Sequence, residues 1–227
     1  MSIPTLKSPV EQELEKLKEL CGYREDIVRK LEKCCLRLYE VGEIVGIHPL
    51  MILDIAYILL KQNPEIEIKV EHYVGSGKKR VRTDVYAEIG NKTAIYEIET
   101  FNSCFAFIEI GKTPDGRRIF YELLPQEVIE IRLGSKAARY SRYADKFSFV
   151  IPSSKKMEIL KSKAIKFLQT PLEKRKKKDC RELLRLINLV YRNPPVSFDE
   201  LMGAKLDGLI FLDLKTLAYE AIGEPFL

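Results

Sequence analysis

The chain of 227 residues contains no tryptophan, only two histidines, and five cysteines without a CxxC spacing. Because His48 and His72 stand apart and no cysteine pair accompanies them, a zinc site is not expected. Scattered cysteines of this kind are typical of buried, reduced thiols, and no charged and then apolar leader opens the sequence. These absences predict a cytoplasmic protein.

The sequence also lacks a long hydrophobic run. Its most apolar segment, residues 50–60, carries Asp54 in its middle, and it is much shorter than the roughly 20 apolar residues that a membrane-spanning helix needs. We therefore interpret this segment as a core helix and expect no membrane partner.

An excess of charge of one sign is also missing. Lysine and arginine number 38 and aspartate and glutamate 33, a net charge of +5 that does not by itself require a polyanionic partner. Basic residues nevertheless cluster at 78–82 and 174–178. The richness in Lys, Glu, Ile and Leu is common in proteins from hot environments, and the length fits one α/β domain with additions or two small domains.

Hydrophobic periodicity divides the chain into helical and extended parts. Apolar residues at helical spacing predict amphipathic helices over 9–20 and 24–41, and His48-Pro49 opens the apolar helix, which runs to about Lys61. Dimerisation, cover for a sheet and DNA recognition are all open as roles for these helices. From Glu65 the period changes to two, which predicts strands.

The extended part begins with a predicted three-stranded antiparallel meander over 65–101. The later elements are a hairpin over 104–124, a helix from Pro125 to about Asp145, a strand over 146–151, helices over 155–168 and 171–191, and a last strand over 206–214. Strands separated by helices predict a mixed α/β sheet flanked by helices. The expected organisation is an N-terminal helical region (1–62), an α/β core (63–152) and a C-terminal helical extension with an added strand (153–227).

Three carboxylates carry most of the functional information. Strands over 80–89 and 92–101 joined at Gly90-Asn91 place Asp84 opposite Glu97, and Glu99 shares the face of Glu97. Like charges that face each other destabilise a hairpin, and a divalent cation held by carboxylate oxygens would offset the repulsion. The pattern favours a Mg²⁺ site.

Two structural readings stand beside this one. In the same register Glu99 faces Arg82, which predicts a plain cross-strand ion pair. A slip of one residue would separate Asp84 from Glu97 and leave solvated acids.

The arrangement resembles the PD-(D/E)xK nuclease superfamily, which includes restriction enzymes, RecB-type nucleases and archaeal Holliday junction resolvases. The resemblance covers about residues 65–152. It rests on a meander with Asp84 and then Glu97-Ile98-Glu99, a later helix ending in the basic segment 136–146, and a strand closing in Val150-Ile151-Pro152. It implies a restriction-endonuclease-like fold.

The resemblance implies a Mg²⁺- or Mn²⁺-dependent nuclease acting on DNA, with Asp84, Glu97 and Glu99 as catalytic and metal-binding residues. Glu99 stands where the family has a lysine that orients the attacking water. Some restriction enzymes have Glu-x-Glu there, which implies that Glu99 orients water or contacts the metal. Lys112 or Lys136 could restore the missing charge, and ordinary surface lysines are the alternative. Glu71 would add an upstream acid, as in some members. The missing lysine keeps an inactive protein that binds nucleic acid, or acts as a scaffold, as the alternative.

Basic residues with interleaved tyrosines offer a path for the nucleic acid. Residues 136, 139, 142 and 146 recur at helical spacing and lie near one another. A solvated cationic helix face is the competing interpretation. The predicted nucleic-acid-binding residues are Lys78, Lys79, Arg80, Arg82, Lys136, Arg139, Tyr140 and Arg142. A homodimer is left open.

Overall fold

The computed structural model describes residues 7–101, 107–153, 158–191 and 194–226, without the side chains of Lys78, Ile159 and Leu160. Its helices are α1 (Pro9–Leu20), α2 (Glu25–Val41), α3 (Ile47–Gln62), α4 (Pro125–Tyr140), α5 (Glu158–Gln169), α6 (Lys177–Val190) and α7 (Phe198–Met202). Short 3₁₀ turns lie at Gly77–Lys79, Ser141–Tyr143 and Leu172–Lys174. Within these described ranges, none of the helices combines the length and apolar character needed to cross a membrane.

The strands form one large mixed sheet and a separate hairpin. They are β1 (Glu67–Val74), β2 (Val81–Ile89), β3 (Lys92–Ile98), β4 (Phe107–Lys112), β5 (Arg118–Glu122), β6 (Lys146–Pro152), β7 (Gly208–Leu212) and β8 (Tyr219–Gly223). The large sheet has the order β1-β2-β3-β6-β7-β8, and β4 pairs with β5. β1, β2 and β3 are antiparallel, β6 is parallel to β3 and β7, and β8 is antiparallel to β7. The mixed α/β class predicted from the sequence is therefore confirmed.

Helices α1, α2 and α3 cover one face of the sheet. Ser8 and Glu11 form a capping box that starts α1, and α2 ends at Gly42, whose φ of 78° lies in the left-handed region that glycine adopts easily. The apolar sides of the three helices pack on sheet residues such as Val85 and Tyr96. This face explains why the N-terminal periodicity is helical and amphipathic.

Helices α4 to α7 cover the opposite face. Ile131 of α4 and Ile187 of α6 share a core with Ile95, Phe147 and Phe149 of the sheet. Helix α4 lies in the crossover between the parallel strands β3 and β6, a connection that parallel strands require. Because helices cover both faces, the central strand β6 is apolar along most of its length.

Most predicted elements are present with small shifts at their ends. The helices over 9–20 and 24–41, the meander and the hairpin are confirmed, although part of the hairpin segment, residues 102–106, lies outside the described residues. The helix from Pro125 ends at Tyr140, five residues earlier than predicted, and a 3₁₀ turn follows it. The sequence missed α7 and β8, so two strands rather than one join the sheet after residue 152.

Asp54 is a buried acid in the middle of α3. Its exposed fraction is 1 %, and neither carboxylate oxygen has a hydrogen-bond partner in the described part of the chain. Burial raises the pKa of Asp54 to about 8, and the nearby Glu13 carboxylate raises it further, while Lys16 opposes the shift. An ionised Asp54 is therefore costly in the folded protein.

Asp54→Leu is expected to stabilise the protein, and more so in alkaline solution. Because the pKa of Asp54 is raised from 3.8 to about 8 on folding, the folded chain binds an extra proton between these pH values, and the parent loses stability as pH rises through this range. The gain at pH 9 should be on the order of 2 kcal/mol or more and should be clearly smaller at pH 4. Urea unfolding at both pH values measures it, and an equal gain at both would contradict the assignment.

Strands β1 and β2 are distorted where Glu71 and Asp84 face each other. Glu71 has a φ of 47°, a left-handed conformation that is uncommon outside glycine. Val70 packs on the α1–α3 side of the sheet, whereas Val74 packs on the α4–α7 side, although alternate residues of a regular strand face the same way. The sheet therefore rotates locally at the two acids, and local strain of this kind is common at functional sites.

Candidate functional site

Three acids lie side by side on neighbouring strands: Glu71 on β1, Asp84 on β2 and Glu97 on β3. The pairs on either side of Glu71 place it opposite Asp84. The pair Val85–Tyr96 sets the β2–β3 register so that Asp84 lies opposite Glu97. This is the register that the turn at residues 90–91 predicts.

The Asp84 and Glu97 carboxylates hold the strands together where the regular ladder stops. Glu97 Oε1 accepts a hydrogen bond from the Asp84 backbone N–H at 3.0 Å, and Asp84 Oδ2 accepts one from the Ile98 N–H at 2.7 Å. Both residues are buried, with exposed fractions of 9 % and 1 %. These bonds fix both side chains. The other two carboxylate oxygens, Asp84 Oδ1 and Glu97 Oε2, take no part in them.

Lys136 of α4 lies among the acids. Its Nζ is 3.2 Å from Glu97 Oε2, 3.9 Å from Asp84 Oδ2 and 3.8 Å from Glu99 Oε2, and it donates to the Ile98 carbonyl oxygen at 3.0 Å. Of the two lysines that the sequence offered, Lys136 therefore reaches the acids, whereas Lys112 is an exposed residue at the end of β4.

The two carboxylate oxygens of Glu99 face different cations. Its Oε1 is 2.7 Å from Arg132 of α4 and accepts a hydrogen bond from the Phe101 N–H at 3.1 Å, while its Oε2 faces Lys136. Phe101 has a φ of 51°, so the chain after β3 is also left-handed. Glu99 thus connects two cations of the same helix.

The predicted ion pair between Glu99 and Arg82 is wrong. Arg82 Nε lies 2.8 Å from Glu71, and its Nη2 lies 3.7 Å from Glu43. The reason is that β2 and β3 separate beyond Asp84, and the Glu99 backbone N–H instead bonds to the Val150 carbonyl of β6 at 2.9 Å. A hairpin register holds only as far as the strands stay paired.

His48 belongs to the site and was missed by sequence reasoning. Gly46, with a φ of 88°, precedes α3 and places His48 in its first turn, where Nε2 lies 3.3 Å from Asp84 Oδ1. His48, Glu71 and Asp84 each offer a ligand atom within 4.8 Å of the others. The histidine and proline at a helix start were visible in the sequence, but nothing there indicated which strand this helix end approaches.

The charges of the site shift several pKa values. Burial opposes the charge of Asp84, but Lys136 and His48 outweigh it and lower the pKa of Asp84. Burial and the Asp84 charge raise the pKa of Glu97 to about 8, and the same two causes raise that of Glu71 to about 7. The acids around Lys136 outweigh burial and raise the pKa of its ammonium. Asp84 is therefore ionised at neutral pH, while Glu97 tends to hold a proton.

Three of the predicted nucleic-acid-binding cations have partners other than the three acids. Lys79 and Arg142 both contact Glu200 of α7, at 3.1 and 2.5 Å. Arg139 donates to two backbone carbonyl oxygens that follow α6. These side chains already have partners within the chain.

The other predicted contacts are spread over the surface and the core. Arg80 is exposed, and its guanidinium carbon lies 4.0 Å from the centroid of the Tyr73 ring. Tyr140 stacks on the buried Phe147 with ring centroids 6.4 Å apart. Lys78 lies outside the described side chains, so its contacts are not assigned.

The donor set of the site fits a divalent cation. Carboxylate oxygens are the ligands that Mg²⁺ and Mn²⁺ prefer, and an imidazole favours a transition metal. His48, Glu71 and Asp84 are close enough together to serve as such ligands. Glu97 lies outside this group, since its Oε1 accepts the Asp84 N–H and its Oε2 faces Lys136.

The chain was compared with known proteins. No family model matches it, and no match was found among curated proteins or solved structures.

Proposed function

We propose that this protein is a divalent-metal-dependent nuclease that hydrolyses phosphodiester bonds in DNA. The observation that carries the proposal is the pair of buried acids on adjacent strands, Asp84 and Glu97, with the Lys136 ammonium 3.2 Å from Glu97. Carboxylates in this arrangement would hold a divalent cation, and that cation and the fixed Lys136 ammonium would stabilise negative charge at a phosphate.

The order of the elements supports the proposal. A helix, an antiparallel meander, a crossover helix and a parallel strand follow one another as α3-β1-β2-β3-α4-β6, in accord with the resemblance to the PD-(D/E)xK superfamily. A restriction-endonuclease-like fold is part of this proposal. In it, Lys136 supplies from α4 the charge that the family takes from the position of Glu99.

The residues of the chain have separate roles in this mechanism. Asp84, His48, Glu71 and Glu97 would hold Mg²⁺ or Mn²⁺. When bound, the metal lowers the pKa of a water molecule and stabilises negative charge at the phosphate. Lys136 adds a fixed positive charge beside these ligands. Glu99, held by Arg132, either contacts the metal or water or positions Lys136.

A nucleic-acid-binding scaffold without catalysis is the second candidate. It is favoured by the charge balance of the site, since Lys136, Arg132 and Arg82 pair with the buried acids. A buried ion cluster with matched charges can have a purely structural role.

Titration with Mn²⁺ separates the two candidates. The parent protein is expected to bind Mn²⁺ by calorimetry, and Asp84→Asn and His48→Gln should each weaken binding by at least about tenfold, since each removes a ligand atom. Glu88→Gln is the matched control, because it removes a partly exposed acid four residues further along the same strand.

The scaffold requires a different result. It predicts no Mn²⁺ binding at millimolar metal together with DNA affinity that falls steeply with salt. Equal Mn²⁺ affinity in the parent and Asp84→Asn would exclude the proposed metal site.

A further inference from the structure

A cationic cavity lies beside the acid site, between β2, α4 and α7. It has a volume of about 230 Å³, and its lining includes Lys79, Arg139, Arg142 and Glu200. A water molecule has a share of about 30 Å³ in the liquid, so the cavity has room for the phosphorus and four oxygens of a phosphate group. Three cations against one acid make it suited to an anion.

Glu200 is the internal anion of this cavity. Its Oε1 contacts both Lys79 and Arg142, while its Oε2 accepts a hydrogen bond from the Ser197 backbone N–H at 2.9 Å. The Ser197 N–H, followed by Arg142 and Lys79, lowers the pKa of Glu200 to about 2. The carboxylate is thus charged at any physiological pH and presents its oxygens to the cations as a phosphate would.

Arg139, which lines the cavity, has one unsatisfied donor. Its Nη2 donates to two backbone carbonyl oxygens at 3.2 and 3.1 Å, but its buried Nε has no hydrogen-bond partner among the described residues. A buried, unsatisfied N–H costs free energy and calls for an explanation, such as an acceptor that arrives with a ligand.

Two elements, α4 and β2, connect the cavity with the acid site. Arg139 follows Lys136 by three residues, about 4.5 Å along the axis of α4. Val81, which also lines the cavity, precedes Asp84 by three residues, roughly 10 Å along β2. A strand of nucleic acid with one phosphate at Asp84 and Lys136 would therefore pass the cavity.

From these observations we infer that the cavity is a binding site for a backbone phosphate of the substrate strand and that Glu200 neutralises Lys79 and Arg142 until the strand enters. The identity of the ligand as nucleic acid rests on the proposed function. The competing explanation is that Glu200 only ties α7 to the two 3₁₀ turns that hold Lys79 and Arg142, as partly exposed ion pairs often do with little effect on stability.

Glu200→Gln tests the inference, because it keeps the size of the side chain and removes its charge. Fluorescence anisotropy with a labelled single-stranded oligonucleotide in EDTA should show about 5- to 20-fold tighter binding at low salt and a salt slope steeper by about 1 to 2, as two cations become available. Glu182→Gln is the matched control, since it removes an exposed acid that pairs with Arg185 on α6. If Glu182→Gln bound the oligonucleotide equally more tightly, the gain would come only from the change in net charge, and the inference would be overturned.

A second substitution tests the coupling directly. Arg142→Gln should cost little affinity in the parent, where Glu200 neutralises Arg142, and should remove most of the gain in the Glu200→Gln background. Equal losses in both backgrounds would show that Glu200 does not mask Arg142, and the inference would fail.

Two further measurements distinguish the sources of failure. Repeating the titration with a 5′-phosphorylated oligonucleotide should give the same gain, and a gain that requires the terminal phosphate would overturn the assignment to a backbone phosphate. DNA cleavage by the parent with Mn²⁺ reports on the proposed function independently. If the parent cleaves DNA but Glu200→Gln binds it with unchanged affinity, only the inference about the cavity fails. If the parent neither binds nor cleaves DNA, the inference and the proposed function both fail.

Discussion

Glu97→Gln is expected to cleave DNA at least roughly 10³-fold more slowly than the parent and, without metal, to be more stable than the parent at pH 9. Under the proposed function, cleavage falls because a carboxylate that would hold the metal is lost. Stability rises because burial and Asp84 raise the pKa of Glu97 from 4.5 to about 8, so the parent loses stability as pH rises through this range while the neutral variant does not.

Asp84→Asn is the matched comparison for this result. It should lose cleavage as well, but its stability should change in the opposite direction. Lys136 and His48 lower the pKa of Asp84, so the Asp84 charge contributes stability that is present above the unfolded-state pKa and is lost as pH falls through the folded-state pKa. The Asn variant should therefore be less stable than the parent at neutral and alkaline pH.

Urea unfolding in EDTA at pH 5 and pH 9, together with single-turnover cleavage in Mn²⁺, measures both effects. A Glu97→Gln protein that cleaves like the parent would remove Glu97 from the mechanism. Parallel stability changes in the two variants would contradict the charge distribution described for the pair.

Lys136→Gln is expected to reduce the single-turnover rate by roughly 10²–10⁴-fold, the range for a positioned group that acts on charge or protons in the transition state. The Lys136 Nζ is within 4 Å of three carboxylates. Its loss leaves them without their common partner, so the variant must be assayed well below its own unfolding temperature. An unchanged rate would mean that Lys136 is only a counter-ion.

Glu99→Gln distinguishes the two roles of Glu99. If Glu99 contacts metal or water, the rate should fall as far as in Lys136→Gln, with DNA binding little changed. If Glu99 only holds Lys136, the loss should be about tenfold or less, since Lys136 keeps Glu97 and the Ile98 carbonyl as partners. Glu182→Gln is the control, because it removes an exposed acid that pairs with Arg185 on α6.

The part of the site that the sequence predicts is the part formed by local geometry. A short turn fixes the register of a hairpin, so Asp84 and Glu97 could be placed opposite each other from the sequence alone. The same reasoning failed for Arg82 and Glu99, because the strands separate where side-chain carboxylates take over the ladder bonds.

The rest of the site depends on packing between elements distant in sequence. Lys136 and His48 come from helices on opposite sides of the sheet, and no periodicity tells which end of a helix approaches which strand. The C-terminal strand β8 was missed for a related reason. It is a short edge strand with mostly exposed residues, so its sequence has little apolar alternation.

The crossover that carries Lys136 has a consequence for the order of assembly during folding. Asp84 and Glu97 are 13 residues apart, whereas Lys136 and its acceptor Ile98 are 38 residues apart, and near contacts close with a smaller loss of chain entropy. The meander is therefore expected to bring its carboxylates together before α4 docks, which leaves them briefly without their counter-ion. Refolding in mildly acidic solution should consequently be faster than at alkaline pH, because protonation relieves the repulsion that the late-arriving lysine otherwise removes.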